Sequence, residues 1–431
     1  MTTHVVILGG GFAGVSTARE LEKIAPSGVQ ITLVNRENYQ LFTPMLPEAA
    51  SGSVDARHIA VPLRVSLCRA GFLLGEAERI DVHAKTLDVI HPVLKTRTRL
   101  SFDHLVLALG AQTSTFGLPG IAEHTLPLKS LVDAAQLREH IGGMFEAAAA
   151  TQDRSERDRF MRFLIVGGGF TGVETAGELA GFVRRLHKFY PALREFTPEL
   201  IIIDSEERLL TQLPKRFGKR AAASLRRRGV DIQLGEKVAS ADEGGLRLEG
   251  GRSYESATIV WTAGVEPAPL VAKTGLKTSR HGALVVNGDL SVPGVPGVWA
   301  AGDCARVPKG DGGTYASLAQ NAVREGPLLA RNIVAALRGQ ATKTFTYTRE
   351  GMMASLGDRD AIAELPGQRM IAGLPAWLLW RGYYLSHLPG LPQKLRVAAD
   401  WTLTGMFASN IARLPWISQH ALTEEDHAAQ G

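Results

Sequence analysis

The stretch Val5–Ile24, VVILGGGFAGVSTARELEKI, decides how the chain is read. A β-branched run enters three glycines, and apolar residues then recur at Val15, Ala18, Leu21 and Ile24 with helical spacing. Strand, tight turn and helix follow one another directly. Gly9, Gly11 and Gly14 fill the GxGxxG positions: the first permits the turn, the second lets backbone approach a pyrophosphate, and the third lets the helix pack on the strand. Phe12 and Ala13 lie in the first helical turn, where unpaired N–H groups and the positive dipole end favour a phosphate. Glycine turns without ligands are common, so this copy alone decides little. The next strand, VQITLVN, ends at the position where a dinucleotide fold sets an acid on the ribose. Here that residue is Asn35, which can still hydrogen-bond a hydroxyl, with Arg36 after it.

The same turn recurs in LIVGGGFTGVE, Leu164–Glu174, with Gly167, Gly169 and Gly172 in register and Phe170 and Thr171 opening the helix. Its apolar face continues through Val173, Ala176 and Leu179, and the strand ELIIID then ends in Asp204, the acid expected for an NAD-type ribose. No arginine directly follows Asp204; Arg208 stands four residues on, so NADH is favoured over NADPH. Two dinucleotide folds imply two dinucleotides, one held as a prosthetic group and one exchanging as substrate. FDHLVLALGAQ (Phe102–Gln112) and SATIVWTAGVEP (Ser256–Pro267) each read as a strand ending in a small-residue turn, and GVPGVWAAGDCA (Gly294–Ala305) as a strand delivering Gly302 and Asp303. The basic stretch RRLHKFYPALREF reads as a solvated face.

Composition narrows the classes. At 431 residues, 45% hydrophobic and 21% charged, the chain is long enough for two or three domains, and disorder is not the reading. A net charge of +5 tolerates nucleotide phosphates or an anionic lipid surface and does not argue for nucleic acid. The two cysteines, Cys68 and Cys304, form neither a disulfide framework nor a CxxC pair; both read as small buried hydrophobes, in a reducing compartment. The histidines show no metal spacing, and no metal is expected. No secretory leader is read from MTTH, and no apolar run reaches the roughly 20 residues a spanning helix needs.

On these motifs the chain resembles the two-dinucleotide-binding flavoproteins and, over nearly its whole length, the type II NADH dehydrogenases, which are single-chain, non-pumping NADH:quinone oxidoreductases. The fold expected is α/β: an FAD-binding Rossmann-like domain, residues 1–115 and 276–345, with a second Rossmann-like NAD(P)H domain, 116–275, inserted, and a C-terminal region, 346–431, of amphipathic helices. The resemblance implies FAD on the first copy with Ala108, Gly110, Gly302 and Asp303, and NADH on the second with Gly264. In NRENYQLFTPMLPEAASGSVDARHIAVPLR, Thr43 and Pro44 would lie against the isoalloxazine. Glu174 takes the position that in the family sits near nicotinamide and flavin, as a proton-handling or orienting group; a carboxylate merely stabilised by the helix dipole is the plainer reading. Glu178, one turn on, reads as a surface or interdomain residue. YASLAQNAVREG resembles the family's quinone-site helix, AQxAxQ: Ala319, Gln320 and Ala322 fit, whereas Arg324 replaces the last glutamine and can only donate. Gln320 would grip quinone or nicotinamide amide, or simply pack. His58 is a candidate for stabilising reduced flavin or relaying a proton, or a satisfied structural histidine.

The implied reaction is hydride transfer from NADH to FAD and two-electron reduction of a membrane quinone. Disulfide and sulfide:quinone reductases are set aside for want of placed cysteines. An NAD(P)H-dependent flavin oxidoreductase with a soluble acceptor, a redox protein or oxygen, and a flavin-bearing regulatory protein stand as alternatives. From Gly373 the sequence turns rich in Trp, Tyr and Leu with basic charges. Pro375, Pro389, Pro392 and Pro415 divide it into two helices, with Arg381, Lys394, Arg396 and Arg413 facing lipid headgroups; packing on the flavin domain is the alternative. Family resemblance places the protein on the cytoplasmic face of the inner membrane as a monotopic protein, with a homodimer through this region, and 423–431 frayed.

Overall fold

The computed structural model describes residues 2–348, 351–407 and 411–414. The helices used below are α1 (Phe12–Ile24), α2 (Leu46–Ala50), α3 (Leu131–Ala150), α4 (Phe170–His187), α5 (Lys215–Arg227), α6 (Ala319–Leu337), α7 (Leu374–His387) and α8 (Leu391–Met406). The described residues form two compact units, one drawn from Met1–Leu41, Ala60–Gln112 and Val265–Arg349, the other from Phe42–Ile59, Thr113–Gly264 and Glu350–Gly431.

In the first unit Thr3–Leu8 is the middle of a five-stranded sheet, between His104–Leu107 and Val29–Asn35, with Val298–Ala300 and Gly71–Leu74 at the edges. All four pairings are parallel. A strand covered on both faces must be apolar throughout, and Val5, Val6, Ile7 and Leu8 are all buried. α1 lays Val15, Ala18 and Leu21 on this sheet. α6 packs on α1 at Gly326, where a Cβ would stand 2.6 Å from that of Ser16. A separate antiparallel sheet joins Glu76–Asp81, Thr86–Ile90 and Arg97–Ser101.

The second unit repeats this plan. Arg162–Val166 is the middle strand, between Thr258–Trp261 and Glu199–Asp204, with Leu126–Pro127 and Val230–Leu234 at the edges, again all parallel. It too carries an antiparallel three-stranded sheet, Val238–Asp242, Gly245–Leu248 and Ser253–Glu255. α3 opens with a capping box in which Ser130 and Asp133 bond each other's backbone N–H. α4 is closely approached by the Leu356–Gly357 turn: a Cβ on Gly177 would stand 2.4 Å from the Leu356 carbonyl carbon.

The C-terminal region holds the two expected helices, α7 and α8, and also a three-stranded antiparallel sheet, Met353–Ser355, Ala361–Leu365 and Arg369–Ala372, that the sequence reading missed. Its strands are short and rich in alanine, so they give little alternation. Arg381 does not face outward: its guanidinium lies 3.8 Å from the Trp377 ring centroid and 4.4 Å from that of Trp401. Arg413 packs instead over Gly142 and Gly143 of α3, where the missing Cβ atoms make room. Lys394 donates to the Ser386 carbonyl, and Arg396 is exposed. Leu374, Leu378, Leu391, Leu395, Leu403 and Met406 are exposed apolar residues of α7 and α8. No helix among the described residues is long and apolar enough to cross a membrane. Pro415 and 423–431 lie outside the described residues.

Candidate active site

The first glycine turn divides its labour by geometry. A Cβ on Gly9 would sit 2.1 Å from the Ala108 carbonyl oxygen, and one on Gly14 would sit 1.9 Å from the Gly9 carbonyl oxygen; Gly11, the N-cap of α1, meets nothing within 4 Å. The protein's own backbone therefore demands glycine at the outer two positions. The middle one leaves open space in front of a helix N-terminus, which suits an approaching phosphate. Asn35 Oδ1 accepts from the Gly10 N–H at 2.8 Å and its Nδ2 donates to the Glu37 carbonyl, so the residue at the strand end braces the turn. Gly302, at φ +73°, brings the turn Gly302–Cys304 beside Ala13, and Asp303 follows. These residues fit a dinucleotide phosphate group.

The second turn is built alike. A Cβ on Gly167 would meet Thr262 Oγ1 at 2.8 Å and one on Gly172 the Gly167 carbonyl oxygen at 1.8 Å, while Gly169, the N-cap of α4, meets nothing within 4 Å. Asp204 Oδ2 accepts from the Gly168 N–H at 2.5 Å, as Asn35 does in the first copy. Burial raises its carboxyl above the usual aspartate range. Gly264 needs its positive φ of +82° and lies against Phe116.

Behind the second turn, α4 carries buried acids. Glu174 Oε1 accepts from the Ser355 N–H at 3.0 Å and from Trp380 Nε1 at 3.3 Å, and burial pushes its carboxyl up to about 8. Glu178 is not a surface residue: it is buried, and its Oε2 accepts from the Ser51 and Ser53 hydroxyls at 3.1 and 3.2 Å. Burial raises it too. Glu48 of α2 was missed by the sequence reading. It is buried, takes the Trp401 indole N–H at 3.1 Å, and is raised well above the carboxylate range by burial and then by Glu178. An acid between Pro47 and Ala49, inside an apolar run, was the signal available. Thr43 and Pro44 form a 3-10 turn in this same unit, after Phe42, whose ring meets Tyr384 edge-on. His58 Nδ1 pairs with Asp400 Oδ2 at 2.6 Å.

In the first unit Gln320 and Arg324 meet around Tyr347. The Tyr347 hydroxyl donates to Gln320 Oε1 at 3.4 Å, Arg324 donates to the Gln320 carbonyl at 3.0 Å, and its guanidinium lies 4.3 Å from the Tyr347 ring centroid. Ala319 begins the same helix. Asn321 and Glu325, also missed, are buried on it; Asn321 donates to the Ala316 carbonyl and Glu325 accepts from the Gly302 N–H. Cys304 is buried, its thiol pushed up to about 12, whereas Cys68 is exposed, contrary to the sequence reading. Among the described residues no group of three His, Cys, Asp or Glu is placed to hold a metal ion.

Two open phosphate cradles of one plan, with a carboxylate at the ribose position of the second and buried acids on its helix, define a two-dinucleotide oxidoreductase. Residues 3–326 match the pyridine nucleotide-disulphide oxidoreductase family, and residues 350–410 the NDH2 C-terminal domain. The type II NADH:quinone oxidoreductase Ndh of Mycobacterium tuberculosis is 33% identical over 418 residues, 93% of this chain and 88% of its own. The type II NADH:quinone oxidoreductase of Staphylococcus epidermidis is 29% identical over 382 residues, 87% and 92% respectively. Among solved structures, NDH2 from Plasmodium falciparum in complex with NADH superposes with a TM-score of 0.89 at 19% identity, covering 96% of this chain and 100% of that one. The sulfide:quinone oxidoreductase of Aquifex aeolicus gives 0.69 at 20% identity, with 92% of each chain covered. The chain belongs to the pyridine nucleotide-disulphide oxidoreductase family and, within it, to the type II NADH:quinone oxidoreductases.

Proposed function

We propose that this chain oxidises NADH and reduces a quinone, with FAD as its prosthetic group and without pumping protons. The observation that carries this is the pair of cradles, each open at its middle glycine, in a chain matched along 93% of its length by a type II NADH:quinone oxidoreductase. When bound, FAD supplies the two-electron chemistry, accepting hydride from NADH and passing electrons on to quinone.

The first cradle, Gly9, Gly11, Phe12, Ala13 and Gly14, receives the FAD pyrophosphate, with Asn35 and Arg36 at its ribose. Ala108, Gly110, Gly302, Asp303 and Ala319 line its flavin side. Gly167, Gly169, Phe170, Thr171 and Gly172 hold the NADH pyrophosphate; Asp204 accepts from the ribose hydroxyls and its charge would repel a 2′-phosphate, and Gly264 keeps the backbone clear. Glu174, neutral up to about pH 8, can hold a proton that quinone reduction consumes. Gln320 offers a quinone or nicotinamide carbonyl its amide N–H groups, and Arg324 adds a donor in place of the family's glutamine. The exposed leucines of α7 and α8 support contact with a membrane surface; the cytoplasmic side and a homodimer through the same region rest on the family resemblance.

Purified protein should show a yellow flavin spectrum that NADH bleaches anaerobically and a short-chain quinone restores. Bleaching without quinone reoxidation would remove the acceptor assignment. Co-flotation with anionic vesicles, lost in Leu378→Glu/Leu395→Glu, checks the membrane face.

A further inference from the structure

The Gly302–Cys304 turn is held from behind by one side chain. Glu325 Oε2 accepts from the Gly302 N–H at 2.7 Å, and the side chain is buried, 3% exposed. Its own backbone is fixed, because the next residue, Gly326, lets α6 touch α1: a Cβ there would stand 2.7 Å from the Ala13 carbonyl oxygen and 2.8 Å from the Thr17 nitrogen. Glu325 thus links α6, the N-terminal turn of α1 and the loop that presents Asp303.

The charge around it is one-sided. Asp303 and the Cys304 thiol face it from the turn, and α1 brings the uncharged Ala13, Ser16 and Thr17. On its own helix Arg324 is directed to the Gln320 carbonyl and the Tyr347 ring, and Arg331 pairs with Glu20 of α1. A further anion at this turn would meet two carboxylates, and the buried one yields most readily by taking a proton from solvent.

We propose that Glu325 is a positioning residue of the flavin cradle: by accepting from Gly302 it sets the turn that presents Asp303, and it takes up a proton when the cradle fills. This rests on the reading of the first cradle as the FAD site. Burial already brings its carboxyl to about 7, so proton uptake falls within the working pH range.

The test is FAD titration of the flavin-stripped full chain, followed by flavin fluorescence, between pH 5.5 and 9. In the parent protein affinity is level below about pH 7 and weakens above it, by at most about tenfold per pH unit. Glu325→Gln keeps an acceptor for Gly302 and binds near the parent's low-pH affinity with no pH slope. Glu325→Ala, checked for folding by its thermal transition, also loses the pH slope and binds about tenfold more weakly than Glu325→Gln throughout. A parental slope retained in Glu325→Gln, or low-pH affinity in Glu325→Ala equal to the parent's, overturns the proposal alone. A parent chain that takes no FAD at any pH overturns the flavin reading and this proposal with it.

Discussion

The two nucleotide folds share strand order, glycine geometry and a strand-end side chain bonded to the middle of the turn, yet their helices face different surroundings. α1 meets α6 through Gly326 and small or apolar residues. α4 turns Glu174 and Glu178 into buried positions, beneath an indole of α7, the Ser51 and Ser53 hydroxyls that follow α2, and the Ser355 backbone N–H. The edge strands differ as well: the first unit takes Val298–Ala300 from late in the chain, the second Leu126–Pro127 from ahead of its glycine turn. A repeated scaffold supplies phosphate binding twice. The raised acids differ in place: Glu174 and Glu178 lie on the cradle helix of the second copy, whereas Glu325 of the first lies on α6.

The largest effects should come from filling the open glycine in each copy. A side chain at Gly11 or Gly169 meets no protein atom near its Cβ, so both variants fold. Gly11→Val is expected to purify colourless. Gly169→Val is expected to stay yellow and to lose about 10²-fold or more in the rate at which NADH bleaches it. A yellow Gly11→Val together with a colourless Gly169→Val would invert the assignment of the two cradles.

The acids of α4 separate the copies by pH. Glu174 is raised in the folded protein to about 8 from 4.5. Its folded pKa lies above its unfolded one, so the neutral folded form is favoured. The stability this gives is complete below about pH 4.5 and is lost as pH rises towards 8. For a shift of this size the loss is a few kcal/mol. Glu48 and Glu178 are raised in the same direction. Thermal transitions of the parent protein should therefore fall between pH 5 and 9, and Glu174→Gln should fall by visibly less. Equal slopes would show that Glu174 is ionised in the folded state.

These differences explain what the sequence made legible. The close approach of Gly14 to Gly9 and of Gly172 to Gly167 is local, so the pattern alone implies it, although Gly9 and Gly167 also answer to the distant Ala108 and Thr262. Asn35 and Asp204 were readable because strand and turn lie a fixed distance apart. The acid cluster was not. Glu178 is buried by Ser51 and Ser53, and Glu48 by Trp401, partners far away in sequence, and nothing in a helical period announces them. Arg381 reads as a lipid-facing cation until two indoles are seen to sandwich it. Cys68 sits among apolar residues in sequence, but it lies just before an edge strand, Gly71–Leu74, and is exposed.

Exchanging the strand-end residues sharpens the comparison further. Both accept from the turn, so Asp204→Asn keeps the brace and loses the charge. Charged acceptors hold hydroxyl donors about twice as strongly as neutral ones, which corresponds to roughly a tenfold rise in KM for NADH and weaker discrimination against NADPH. The reciprocal Asn35→Asp should tighten FAD several-fold in fluorescence titration. If neither exchange moves its ligand, the strand-end side chains serve only to brace the turns.

The smallest effect tests the acid cluster at its edge. Trp401→Phe keeps an aromatic ring against Arg381 and removes one hydrogen bond, from the indole N–H to Glu48 Oε1. Glu48 Oε2 is already buried without a hydrogen-bond partner, so the variant leaves both oxygens unpaired. The indole bond favours the ionised carboxylate, so its loss pushes Glu48 further up rather than down. Burial already favours the neutral acid, so the expected cost is about 1 kcal/mol from the missing bond, read as a fall of a few degrees in the thermal midpoint. The fall should widen as pH rises, because Glu48 then ionises without its donor. A fall that does not change with pH would mean that Glu48 keeps one charge state across the range and that the buried acids of α2 and α4 share their charge differently from the arrangement described for the second cradle.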